Sequence, residues 1–105
     1  MADVIVFKNR TNIVNVDIGI DVSTETVTSE IREGKTSSST LIAAWDVTYL
    51  TDGTDGKLVF RLDDSVTALI TQKLGYMDLK RVSNGEPLAV FASPVKVVFK
   101  DSVTA

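Results

Sequence analysis

The chain has 105 residues, 44% of them hydrophobic and 24% charged, with a net charge of -3. That is the size and composition of one ordinary globular domain, residues 1–105, and folding at this length hides roughly 60 to 70% of the unfolded chain's surface. Cysteine and histidine are both absent, which excludes disulfides, thiolate chemistry, the usual zinc ligand and a Ser-His-Asp arrangement. No Lys/Arg cluster is present to displace counterions from phosphates, so nucleic acid is not an expected partner.

In chain order, the opening MADVIVFKNR lacks a basic segment followed by an apolar run and a cleavage site, so no secretory signal is expected. Apolar runs are too short to span a bilayer with a helix, and no membrane insertion is expected. Asp3 to Lys8 reads as a strand apolar on both faces through Val4, Ile5, Val6 and Phe7. Asn9 to Asn12 breaks it. Ile13 to Asp21 alternates, with Val14, Val16, Ile18 and Ile20 on one face and Asn15, Asp17, Gly19 and Asp21 on the other. After a turn at Ser23 to Glu25, Thr26 to Arg32 resumes with Val27 and Ile31 inward.

Glu33 to Thr40 (EGKTSSST) is a polar loop, and its serines have no adjacent base to activate them. Leu41 to Leu50 is the longest strand, with Leu41, Ala43, Trp45, Val47 and Tyr49 inward and Trp45 as a core anchor. Its other face carries Ile42, Ala44 and Leu50 beside Asp46 and Thr48, and Val59, Val98 and Ile13 place apolar residues on the outer faces of other strands. Two readings are open for these residues: a contiguous patch that marks a partner interface, or the scattered aliphatics common on any surface.

Asp52-Gly53-Thr54-Asp55-Gly56 turns the chain. Its carboxylates lack the spacing of an EF-hand loop and suit a hairpin turn, so no metal or other cofactor is expected. Leu58, Phe60 and Leu62 alternate inward. Asp63, Asp64 and Ser65 then cap a helical turn carrying Val66, Leu69 and Ile70, which Gly75 ends. Met77 and Leu79 face in, with Tyr76, Asp78 and Lys80 out. Asn84-Gly85 is a two-residue hairpin signal. Pro87 and Pro94 mark an edge or a bulge. Val95, Val97 and Phe99 close the core, and Asp101 to Ala105 is a polar tail.

Seven or so short strands at near-regular spacing predict an all-β, antiparallel β-sandwich of the immunoglobulin type with one short helix inserted between late strands. The succession of an Ile31-Arg32 strand end, a Trp45 strand, KLVFRLDDSVTALI, GYMDLKRV, a hairpin and VKVVFKDSVT resembles small immunoglobulin-like virion proteins of tailed bacteriophages and prophages, found at tail tips, baseplates and fibres. The resemblance covers about residues 12 to 104. It rests on Thr67-Ala68-Leu69, on Gly75, Tyr76, Asp78 and Leu79, and on the terminal Val103-Thr104.

The resemblance implies a non-enzymatic structural protein in the virion, present in the host cytoplasm during assembly. Its implied partners are other tail proteins and copies of itself in a homo-oligomer. From the residues alone, the interface candidates are Ile42, Ala44, Leu50, Val59 and Val98. A glycan- or receptor-recognition module is the alternative, with Tyr49 and Tyr76 as platforms. An enzyme would have to rely on carboxylates such as Asp46, Asp52 and Asp55, which sit in no recognised motif.

Overall fold

A computed structural model of the chain describes residues 3–89 and 94–101. Among these residues it contains nine strands and one helical turn: β1 Val4–Phe7, β2 Asn12–Asp17, β3 Thr26–Arg32, β4 Leu41–Tyr49, β5 Lys57–Leu62, α1 Asp64–Thr67, β6 Leu74–Met77, β7 Lys80–Ser83, β8 Glu86–Ala89 and β9 Val95–Lys100. The hydrogen-bonded path runs β1-β9-β6-β3-β4-β5-β2. It bends at β4, whose first half pairs with β3 and whose second half, Asp46 to Tyr49, pairs with β5. The path thereby curls into a nearly closed, barrel-like sandwich with β1 and β2 at its two ends. One departure from an all-antiparallel arrangement is β1, which lies parallel to β9 with Val4 beside Val97 and Phe7 beside Lys100.

Alternation fills the interior as expected. Leu58, Phe60 and Leu62 from β5 meet Val97 and Phe99 from β9, Val6 from β1 and Trp45 from β4 in one buried cluster. The Trp45 and Phe60 rings lie 5.8 Å apart at 52°, the tilted arrangement aromatic quadrupoles favour. Asn84 and Gly85 both adopt positive φ between the paired residues Ser83 and Glu86, so the hairpin forms as its sequence requires. β8 carries Pro87 and pairs with β7 alone, which makes it an edge. The Val103-Thr104 pair lies outside the described residues.

Several expectations are corrected, each for a local reason. β2 stops at Asp17, because the Asp17 carboxylate accepts the Gly19 amide and Gly19 takes a positive φ. Ile20 is therefore exposed and not in the core. In β4 the pairing with β3 slips between Ile31 and Arg32, and Ile42 is the extra residue. Leu41 is carried outward, while Ile42 turns in against the core.

The helix is a single turn. Asp63 occupies its N-cap position without a side-chain capping bond, its carboxylate accepting instead from Arg61 Nε at 2.8 Å. Leu69 projects into solvent, and Thr67 and Ile70 are the residues that pack. Gly75 does not end the helix but sits in β6, where a Cβ would approach Ile42 Cδ1 to 2.9 Å.

Polar side chains close the ends of the sandwich. Asn12 is the residue that bridges β1 and β2. Its Oδ1 accepts the Phe7 amide at 2.9 Å, and its Nδ2 donates to the carbonyls of Phe7 and Arg10 at 2.8 and 3.0 Å. The side-chain amide thus acts on Phe7 as a neighbouring strand would. Thr67, fully buried, donates to the Arg10 carbonyl at 2.7 Å and accepts the Arg10 amide at 3.1 Å, pinning the same turn to α1. At the other end the Tyr49 hydroxyl bonds the Val22 and Glu25 carbonyls at 2.8 and 3.0 Å.

Asn12→Ala is expected to cost about 1 to 3 kcal/mol in urea unfolding, since it strips partners from both backbone groups of Phe7. A loss under a few tenths of a kcal/mol would mean that solvent replaces the amide fully.

Candidate protein-interaction surface

The outer faces of the two layers differ. On β4, β5 and β2, polar and charged residues alternate with apolar ones: Val59 lies in register between Thr48 and Asn15, and Arg61 lies between Asp46 and Ile13, the latter 59% exposed. Ala44 is exposed opposite Glu30, and Leu50 is exposed just past the end of β4. Polar neighbours therefore interrupt the apolar character of this face.

On β1, β9 and β6 the register does the opposite. Ile5 pairs with Val98, and Val98 pairs with Leu74, so three aliphatic side chains form one row across three strands. Phe7 stands one step along the same face of β1, beside Lys100. Ile5, Phe7 and Leu74 are 44, 42 and 39% exposed, a high value for large apolar side chains set side by side.

The five residues singled out from the sequence are thus not brought together. Ile42 belongs to the edge of the core, Ala44, Val59 and Leu50 are spread along the β4–β5 layer, and Val98 alone joins the apolar row. Its neighbours Ile5, Phe7 and Leu74 were missed. A signal for them existed in the two-sided apolar run of β1 and in the out-in-out-in order of Leu74, Gly75, Tyr76 and Met77.

The carboxylates serve their own turns. Asp52 Oδ1 accepts the amide and hydroxyl of Thr54, and Asp55 Oδ1 accepts the Lys57 amide while Oδ2 accepts the Thr51 hydroxyl. Asp21 accepts the Ser23 amide and hydroxyl in the same way. At Asp21 and Asp52 these bonds favour the ionised form. The Asp21 carboxyl is held below the ordinary carboxylate range, first by the Ser23 amide and then by its hydroxyl. Asp52 is held low first by the Thr54 hydroxyl and then by its amide. Asp46 sits apart from them on β4, across from Arg61. Among the described residues no three Asp or Glu side chains gather as a metal-ligand set.

A cleft of about 350 Å³ lies beside the Glu33-to-Thr40 loop, lined by Thr28, Glu30, Arg32, Lys35, Tyr76 and Asp78 among others. The Lys35 ammonium stands 5.2 Å from the centre of the Tyr76 ring and covers that face. Tyr49 is a structural pin whose hydroxyl is already engaged. Among the described residues no helix is long and apolar enough to cross a membrane. The chain matches no protein-family model and no curated protein.

Proposed function

We propose that this chain is a non-enzymatic structural protein of a tailed bacteriophage or prophage particle, an immunoglobulin-like sandwich associated with the tail that works by docking onto other virion subunits and onto copies of itself. On this reading it resides in the virion and passes through the host cytoplasm during assembly. The observation that carries it is the apolar row Ile5, Val98 and Leu74 with Phe7 beside it, exposed on one face of a sandwich whose Asp21, Asp52 and Asp55 carboxylates are taken up by their own turns. Burying such a face against a neighbour is a source of association free energy that needs no reacting group. The resemblance in strand order and in the Thr67-Ala68-Leu69 and Gly75-Tyr76 segments points to the particle as the setting.

The test is mass spectrometry of density-purified particles from the source strain, read together with the genes that flank this one. Presence in stoichiometric amount among tail proteins is expected. Absence from particles, with metabolic genes on both sides, would overturn the reading. A second reading is glycan recognition in the cleft where Lys35 lies over the Tyr76 ring, and glycan-array hits that Tyr76→Ala abolishes would promote it.

A further inference from the structure

We propose that copies of this chain associate head to tail, the acidic loop end of one copy seating on the basic, apolar β1–β9–β6 face of the next. The proposal rests on the docking reading above and names the partner for that face. The receiving face carries lysine at both outward positions flanking Val98 on β9, Lys96 and Lys100, about 13 Å apart along the strand. Lys73 immediately precedes Leu74. Carboxylates near this face include Asp3, next to the start of β1, Asp101, which lies 3.7 Å from Lys8 Nζ, and Glu33, which accepts from Gln72 Nε2 at 3.1 Å. The row of Ile5, Val98 and Leu74 thus has Lys73, Lys96 and Lys100 directly beside it.

The opposite character is found where β2 leads towards β3 and where β4 turns into β5. The Ile18 amide donates to Gly56 and the Val22 amide to Gly53, so these two loops are laced together. Asp17, Asp21, Asp52 and Asp55 are all exposed there. Asp21 and Asp52 are near enough for the charge of Asp52 to oppose ionisation of Asp21. Glu25 is paired with Arg81 at 3.2 Å, and Lys57 lies in register with Asp17. Two large apolar residues adjoin them in the chain, Ile20 next to Asp21 and Leu50 two residues before Asp52, 42 and 50% exposed.

Each patch therefore presents aliphatic side chains directly beside charges, lysines on the first and aspartates on the second. The two patches lie on different parts of the surface, so one copy can give and receive at once. Such a contact is heterologous: it repeats into a ring if the rotation closes and into a filament if it does not. A foreign partner would have to reproduce this pairing of apolar and charged groups, whereas a second copy carries it already.

Sedimentation of the full chain over a range of concentrations tests the idea. At low salt the weight-average mass is expected to rise with concentration. At 1 M salt, where screening acts over about 3 Å, at least about tenfold more protein should be needed for the same mass. The double variants Lys96→Glu/Lys100→Glu and Asp21→Lys/Asp52→Lys should each weaken association by at least about tenfold, and mixing the two should restore it. Leu50→Lys, which leaves the turn carboxylates intact, should weaken it as well.

A wild-type chain that stays monomeric overturns the proposal, as does a variant that associates like the wild type or a mixture that stays apart. A chain that is monomeric yet found in particles would sink this pairing and leave the virion reading in place. One that polymerises yet is absent from particles would do the reverse.

Discussion

Gly56→Ala is expected to cost about 3 to 4 kcal/mol, and Gly85→Ala only about 1 kcal/mol, although both glycines sit at positive φ. The shared cost is the left-handed backbone, which an L side chain enters unwillingly. What separates the two is the space around them. At Gly85 an added methyl meets nothing within 4 Å. At Gly56 it would lie 2.5 Å from the Ile20 nitrogen, 2.7 Å from the Ile20 oxygen and 2.8 Å from the Gly19 nitrogen, all backbone atoms that no rotamer change can move aside. The Gly56 carbonyl also accepts the Ile18 amide at 2.9 Å, so yielding to the methyl strains the lacing between the two acidic loops. Urea midpoints of the two variants check this, and equal losses would mean the loops move apart freely.

Phe60→Ala is expected to cost about 3 to 5 kcal/mol, a large part of the 5 to 15 kcal/mol typical of a whole domain. The ring is fully buried and packs on Trp45 from the neighbouring strand, so its removal leaves a cavity between the layers. The single tryptophan reports the change directly. Its near-UV circular dichroism should fall, and Phe60→Leu should recover most of the loss in stability. A loss under about 1 kcal/mol would show that the layers close over the gap.

Positions whose environment is set by their immediate neighbours in the chain were legible. The period-2 pattern of Leu58, Phe60 and Leu62, the inward Trp45 and the Asn84-Gly85 turn all follow from strand and turn geometry within a few residues. The errors begin where a distant contact outweighs the local pattern. Leu41 shares parity with Trp45 yet faces solvent, because a bulge opposite Ile31 and Arg32 resets the strand. Ile20 continues the β2 alternation on paper, but the Asp17 carboxylate has already turned the backbone.

The same reason explains the candidate surface. Val98 reads from the sequence as an outward aliphatic, but its neighbours depend on the parallel pairing of β1 with β9, which no local signal encodes. Ile5 and Leu74 are far apart in sequence and become a row only through β9.

The Asn12 side chain has one more consequence. By occupying both backbone groups of Phe7 it works as a stopper in the zip that an exposed border strand would otherwise offer. Along β1 this leaves Ile5 as the residue whose peptide groups face that border, too short a stretch to template an amyloid-like ladder. Along β1, contact between copies is thereby left to side-chain shape and charge and not to backbone stitching.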